Sequence, residues 1–119
     1  MLYEEATHPR ISVGQLWRCA SHDGETALIV AIDSCPGGLV VNVILEDGSE
    51  TNGVRQLLAP IEWQHLDAHL GEVIGEHVDI STHLDSYLEW KESAQLGQAG
   101  YWTCAPGQIF ATVRKGTGG

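Results

Sequence analysis

The sequence predicts an α+β fold: a small antiparallel, strongly curled sheet packed with two helices and followed by a C-terminal strand or hairpin. Three observations carry this reading. Runs of β-branched and apolar residues in the first half are separated by tight-turn residues at short intervals. The second half changes to apolar spacings of three, four and seven, the period of a helix. The 119 residues, 43% of them hydrophobic, suit one domain with a real core and leave no room for two.

Residues 1–12 read as an irregular lead-in, because Pro9 and its polar neighbours give no steady period. A β meander is expected over 13–54. Its first strand is Gly14-Gln15-Leu16-Trp17-Arg18-Cys19, and His22-Asp23-Gly24-Glu25 supplies an Asp-Gly turn. Thr26 to Asp33 is an apolar second strand, and Ser34-Cys35-Pro36-Gly37-Gly38 is a strong turn cluster. Leu39 to Leu45 is the clearest strand, closed by Glu46-Asp47-Gly48, and Ser49 to Val54 is a candidate fourth strand. Strands two and three are apolar on both faces, so something, most simply helices, must cover the outside. In outline such a curled sheet resembles an SH3-like barrel, or half of one. That likeness is architectural and implies nothing about function.

Pro60 suits the first position of a helix over 60–70, with Trp63, Leu66 and Leu70 on one stripe. Gly71 and Gly75 break the pattern beyond Leu70. A second helix is expected over 82–96, opened by Thr82 with Asp85 three residues on and stopped at Gly97. A terminal strand or hairpin is expected over 101–113. Within it, Ile109 to Val113 favours a strand by its β-branched content, although Pro106 equally suits a helix start. Residues 114–119 read as a loose tail.

Six Lys and Arg face sixteen Asp and Glu, for a formal charge of −10. Such a surface repels phosphate backbones and anionic membranes, so direct nucleic-acid binding and membrane association are not expected. A basic protein partner is the complementary expectation, against the simpler reading that acidic surfaces favour solubility. Cys19, Cys35 and Cys104 are odd in number and lack CxxC spacing, which fits reduced thiols in a cytoplasm. The N-terminus has neither the basic start nor the apolar core of a signal peptide. The longest apolar run, Ala27 to Ile32, is too short to span a bilayer.

Two places carry candidate chemistry. On the second helix, Asp85, Glu89 and Glu92 make a negative edge, while Tyr87 and Trp90 lie on another face beside Leu84 and Leu88. Aromatic anchors beside steering carboxylates make a partner-binding surface, although an aromatic stripe at helical spacing is usually core. The second place is the His65-Leu66-Asp67-Ala68-His69 segment. Two histidines at i and i+4 on a helix can reach one ion, so zinc or another divalent metal is an option there, with Glu62, Glu72, His77 or His83 as further ligands. No Glu follows His65 directly, so the HExxH pattern is absent. Catalytic residues are otherwise not indicated: no phosphate-cradling loop and no catalytic cysteine signature is present.

The leading expectation is therefore a small acidic binding or regulatory protein of inhibitor, immunity or antitoxin type. Its alternatives are a small metal-dependent enzyme using His65 and His69, or a structural subunit that forms a homodimer through its aromatic surface.

Overall fold

The computed structural model describes residues 3–20, 25–47, 55–104 and 108–109. The fold is α+β. Six strands build one sheet: β1 (Glu4–Glu5), β2 (Leu16–Cys19), β3 (Glu25–Cys35), β4 (Gly38–Asp47), β5 (Arg55–Glu62) and β6 (Leu70–Gly75). Helices α1 (Trp63–Asp67) and α2 (Leu84–Gln95) accompany it among the described residues, the latter entered through a 3-10 turn at Ser81–His83. The strand order is β5-β4-β3-β2-β6, with β1 added to β3, and all these pairings are antiparallel.

The long β3–β4 hairpin is the spine. Its turn is Pro36-Gly37, with Cys35 facing Gly38, so the Pro-Gly signal marks the reversal as expected. Both strands are apolar on both faces because both faces are covered. On one face Trp17, Ala27, Ile29, Val41, Val43, Leu45 and Ile61 close over Leu66 of α1 and Ile109. On the other, Leu28, Val30, Ala31 and Ile44 meet Tyr87, and Val40 meets Ala94. Each large apolar side chain among them contributes on the order of 1.5–3 kcal/mol by leaving water. The register of β3 on β4 shifts between Ile29 and Ala31. Val30 is the extra residue, and this bulge lets Val30 and Ala31 both join the α2-facing cluster.

Several expectations need correction. The helix over 60–70 is only the short α1, and Pro60 lies in β5. The Pro60 carbonyl accepts from the Trp102 N–H at 2.7 Å, and Glu62 N–H donates to the Trp102 carbonyl at 2.9 Å. Residues 60 and 62 therefore point their backbone groups away from β4. The missing N–H of Pro60 falls on the outer edge, where no ladder bond is lost. That outer edge is met by an isolated parallel bridge of Trp102 to Ile61. The expected strand at Tyr101–Cys104 is no more than this bridge. Gln108 and Ile109 are helical rather than extended, and Ile109 is fully buried.

The segment after Leu70 is strand β6, which its glycines concealed. A Cβ on Gly71 would lie 2.9 Å from the Arg18 carbonyl, so the glycine permits β6 to approach β2 where their register shifts. The lead-in is less irregular than expected, since Glu4 and Glu5 pair with Ser34 and Asp33. The second helix stands as α2, without the Thr82–Asp85 capping box: no side chain caps its first residue. Asp79 Oδ1 instead accepts the Ser81 N–H at 2.9 Å and opens the 3-10 turn. At the far end Gly97 takes φ +75°, with Gly97 N–H donating to Ala94 and Gln98 N–H to Ser93, a Schellman stop. The His22–Gly24 turn, the strand at Ser49–Val54, the segment 110–113 and the tail 114–119 lie outside the described residues.

Candidate functional site

The site is built from α2 and the sheet beneath it. The helix presents Tyr87, Trp90, Lys91 and Ala94 to the strands, spaced at three, four and seven. Asp33, fully buried near the end of β3, accepts from the Tyr87 hydroxyl at 2.8 Å and from Lys91 Nζ at 2.9 Å. Both oxygens of a buried carboxylate are thereby satisfied by one helix. The Trp90 indole N–H donates to the Gly100 carbonyl at 2.8 Å, and its ring meets Tyr3 edge-on at 5.2 Å. Gln95 completes the seam by donating to the Tyr3 carbonyl and accepting its N–H.

The electrostatics of this cluster describe a latch. Burial, the bond to Asp33 and the nearby Asp33 charge push the Tyr87 phenol up to about 12, against a smaller lowering by Lys91. Burial lowers the Lys91 ammonium, but its bonds to Asp33 and Tyr87 outweigh that and raise it overall. A lysine held charged and a phenol held neutral are poor nucleophiles and poor bases at neutral pH. The trio fixes α2 in place.

Of the sequence-predicted partner-binding residues, Tyr87 and Trp90 therefore face the sheet, Tyr87 buried and Trp90 half-buried. Asp85, Glu89 and Glu92 are exposed on the other side of the same helix. Their neighbours there are apolar. Leu84 is 37% exposed, Leu88 55% and Leu96 67%. The solvent face of α2, about 18 Å long, thus carries Leu84 and Leu88 among carboxylates, with Leu96 at its C-cap. Among the described residues no ion pair reaches those three carboxylates. Arg10 pairs with Asp67, Arg18 with Glu72 and Lys91 with Asp33, so each basic side chain described is already engaged. Asp33 and Leu96 were missed in the sequence, and Leu84 and Leu88 were noted there only as neighbours of the aromatic stripe. The signal for Asp33 was a lone acid at the end of an apolar strand, answered by a lone Lys91 on a helix face.

A groove of about 240 Å³ opens beside the start of α2, where β1 leaves the β3 edge before β2 joins it. It is lined mainly by Val13, Val30, Ala31, Ile80, Leu84 and Tyr87.

The histidine pair is not brought onto one helix face. Helix α1 ends at Asp67, and His69 lies in the following turn, where its carbonyl accepts the Ala20 N–H. His65 is near Glu62 at 3.7 Å, while Glu72 belongs to β6 and pairs with Arg18. Among the described residues no group of three or more His, Cys, Asp or Glu could hold a metal ion. All three cysteines are free thiols. Burial, with the neighbouring Glu25, pushes the Cys19 thiol up to about 12, and burial also raises Cys104. Both are the reverse of an activated thiolate. No helix among the described residues is long and apolar enough to cross a membrane.

No protein-family model, curated protein or solved structure matches the chain.

Proposed function

We propose that the protein binds a basic protein partner through the solvent face of α2 and regulates it, in the manner of an inhibitor, immunity protein or antitoxin. One observation carries the reading: Leu84, Leu88 and Leu96 stand exposed among Asp85, Glu89 and Glu92, on a helix whose opposite face is locked to the sheet. Apolar residues so placed supply contact area, and the carboxylates select a cationic surface and speed the encounter. The anchors are thus the leucines, with Tyr87 and Trp90 holding the helix rigid beneath them. Preorganisation of that kind lowers the entropy cost of binding. The same reading places the protein in the cytoplasm, away from nucleic acid and membrane, in keeping with its charge of −10 and its free thiols. It also takes the curled sheet as an SH3-like half-barrel serving as scaffold.

The test is affinity capture from lysate at low and high salt, with wild type and the D85K/E89K/E92K variant. Wild type should retain a cation-rich protein and release it as salt rises. The variant should keep its circular dichroism and lose the partner. Capture of only neutral or acidic proteins, or binding indifferent to ionic strength, sinks the proposal.

A further inference from the structure

We infer that the groove at the β3 bulge is the anchor socket for that partner, taking one apolar side chain that is flanked by lysine or arginine. The inference rests on the proposed function and adds where and how the partner is held. Ala6 N–H bonds to the Ile32 carbonyl, while Gly14 and Gln15 bond to Ile29, so the chain on this edge leaves a gap between Ile29 and Ile32. The bulge turns Val30 and Ala31 toward that gap as an apolar floor. Val13, 49% exposed, and Leu84 stand at its mouth.

Size and charge select the occupant. The volume of about 240 Å³ exceeds the roughly 150 Å³ cavity that accepts a benzene ring. It falls below the roughly 300 Å³ at which small-molecule sites begin. One leucine, methionine or phenylalanine side chain is the matching load. Glu5 lines the groove, no cationic side chain among the described residues does, and Asp85 follows Leu84 directly on α2. The residues beside the anchor are therefore cationic, which also argues against a second copy of this acidic chain. Leu84 belongs both to the groove and to the α2 face, so the two surfaces are continuous.

The experiment uses methyl-labelled full-length protein titrated with three synthetic twelve-residue peptides. One carries lysines around a central leucine, one has alanine for that leucine, and one has glutamines for the lysines. The lysine–leucine peptide should shift the methyls of Val13, Val30, Ile80 and Leu84 saturably. The alanine peptide should bind about tenfold more weakly, the loss expected for truncating a buried anchor. Val13→Ser, at a half-exposed position, should weaken the leucine peptide and leave the alanine peptide unchanged. Equal affinity for leucine and alanine peptides overturns the socket. Shifts confined to Leu88 and Leu96, with Val13, Val30 and Ile80 unmoved, overturn it while leaving the proposed function standing. Equal, salt-indifferent groove binding by the glutamine peptide overturns the cationic flank and the charge-based function together.

Discussion

At the scale of single residues, Asp33 and Asn42 show the same polarity handled in opposite ways. Both are fully buried on the α2-facing side of the β3–β4 hairpin. Asp33 has two donors, Tyr87 and Lys91, and removing it takes the shared acceptor from a buried hydroxyl and a partly buried ammonium. Asp33→Ala should therefore cost about 3–5 kcal/mol in urea unfolding, the usual penalty for breaking a buried ion pair on one side. A loss below about 1 kcal/mol would show that the helix is held by packing alone. Asn42 is the reverse case. Neither its Oδ1 nor its Nδ2 has a hydrogen-bond partner among the described residues. An unmet buried amide carries a desolvation cost of about 1–3 kcal/mol, so Asn42→Leu, a modest increase in volume, should hold or raise the unfolding midpoint. A clear drop would mean that the amide is satisfied in solution.

At the scale of elements, the legible parts of the fold came from local chemistry, and the hidden parts came from pairing. The β3–β4 hairpin and α2 announce themselves by β-branched runs, a Pro-Gly turn and a glycine stop. The apolar character of both hairpin faces also foretold cover on both sides. Strands β5 and β6 were hidden because Pro60 and Gly71 read as helix start and breaker until their neighbours are known. Proline is tolerated at 60 since its nitrogen faces the outer edge. Pro60→Ala should accordingly cost under about 1 kcal/mol. Ala59→Pro, whose nitrogen faces β4, should cost about 3 kcal/mol or more. Equal effects in thermal melts would contradict the edge register. The orientation of α2 was half legible, because the aromatic stripe reads as core while Leu84 and Leu88 look more core-like than Lys91. Only the distant Asp33 makes the lysine face the better one to bury. That seam also sets an alkaline limit. Tyr87 and Lys91 are both raised in the folded state, so their contributions are complete at neutral pH and are lost in alkali, that of Tyr87 between about pH 10 and about 12. Cys19, raised from 9 to about 12, starts the decline earlier. Unfolding free energy should fall from about pH 9 upward, and Tyr87→Phe should flatten the part above pH 10. An unchanged profile in that variant would remove Tyr87 from the account.

At the scale of the whole molecule, charge should act on stability and on the proposed partner binding in opposite directions. A formal charge of −10 on 119 residues repels itself in the compact state. The exposed pairs Arg10–Asp67 and Arg18–Glu72 offset little of this, since such pairs contribute about 0–1 kcal/mol each and are themselves screened. Repulsion should therefore win, and added salt should stabilise the isolated protein. Raising NaCl from about 10 to about 300 mM, which shortens the screening length from about 30 Å to under 10 Å, should raise the melting temperature. The same salt should weaken capture of the proposed basic partner. The D85K/E89K/E92K variant removes more than half of the net charge, so it should melt higher than wild type at low salt and respond less to added salt. If the carboxylates do lower stability, solubility and partner binding are the two roles left for them, and the exposed leucines beside them, which do not aid solubility, favour the binding face. If the variant instead melts lower at low salt, those carboxylates serve the fold, and the α2 face loses its claim to be a partner site.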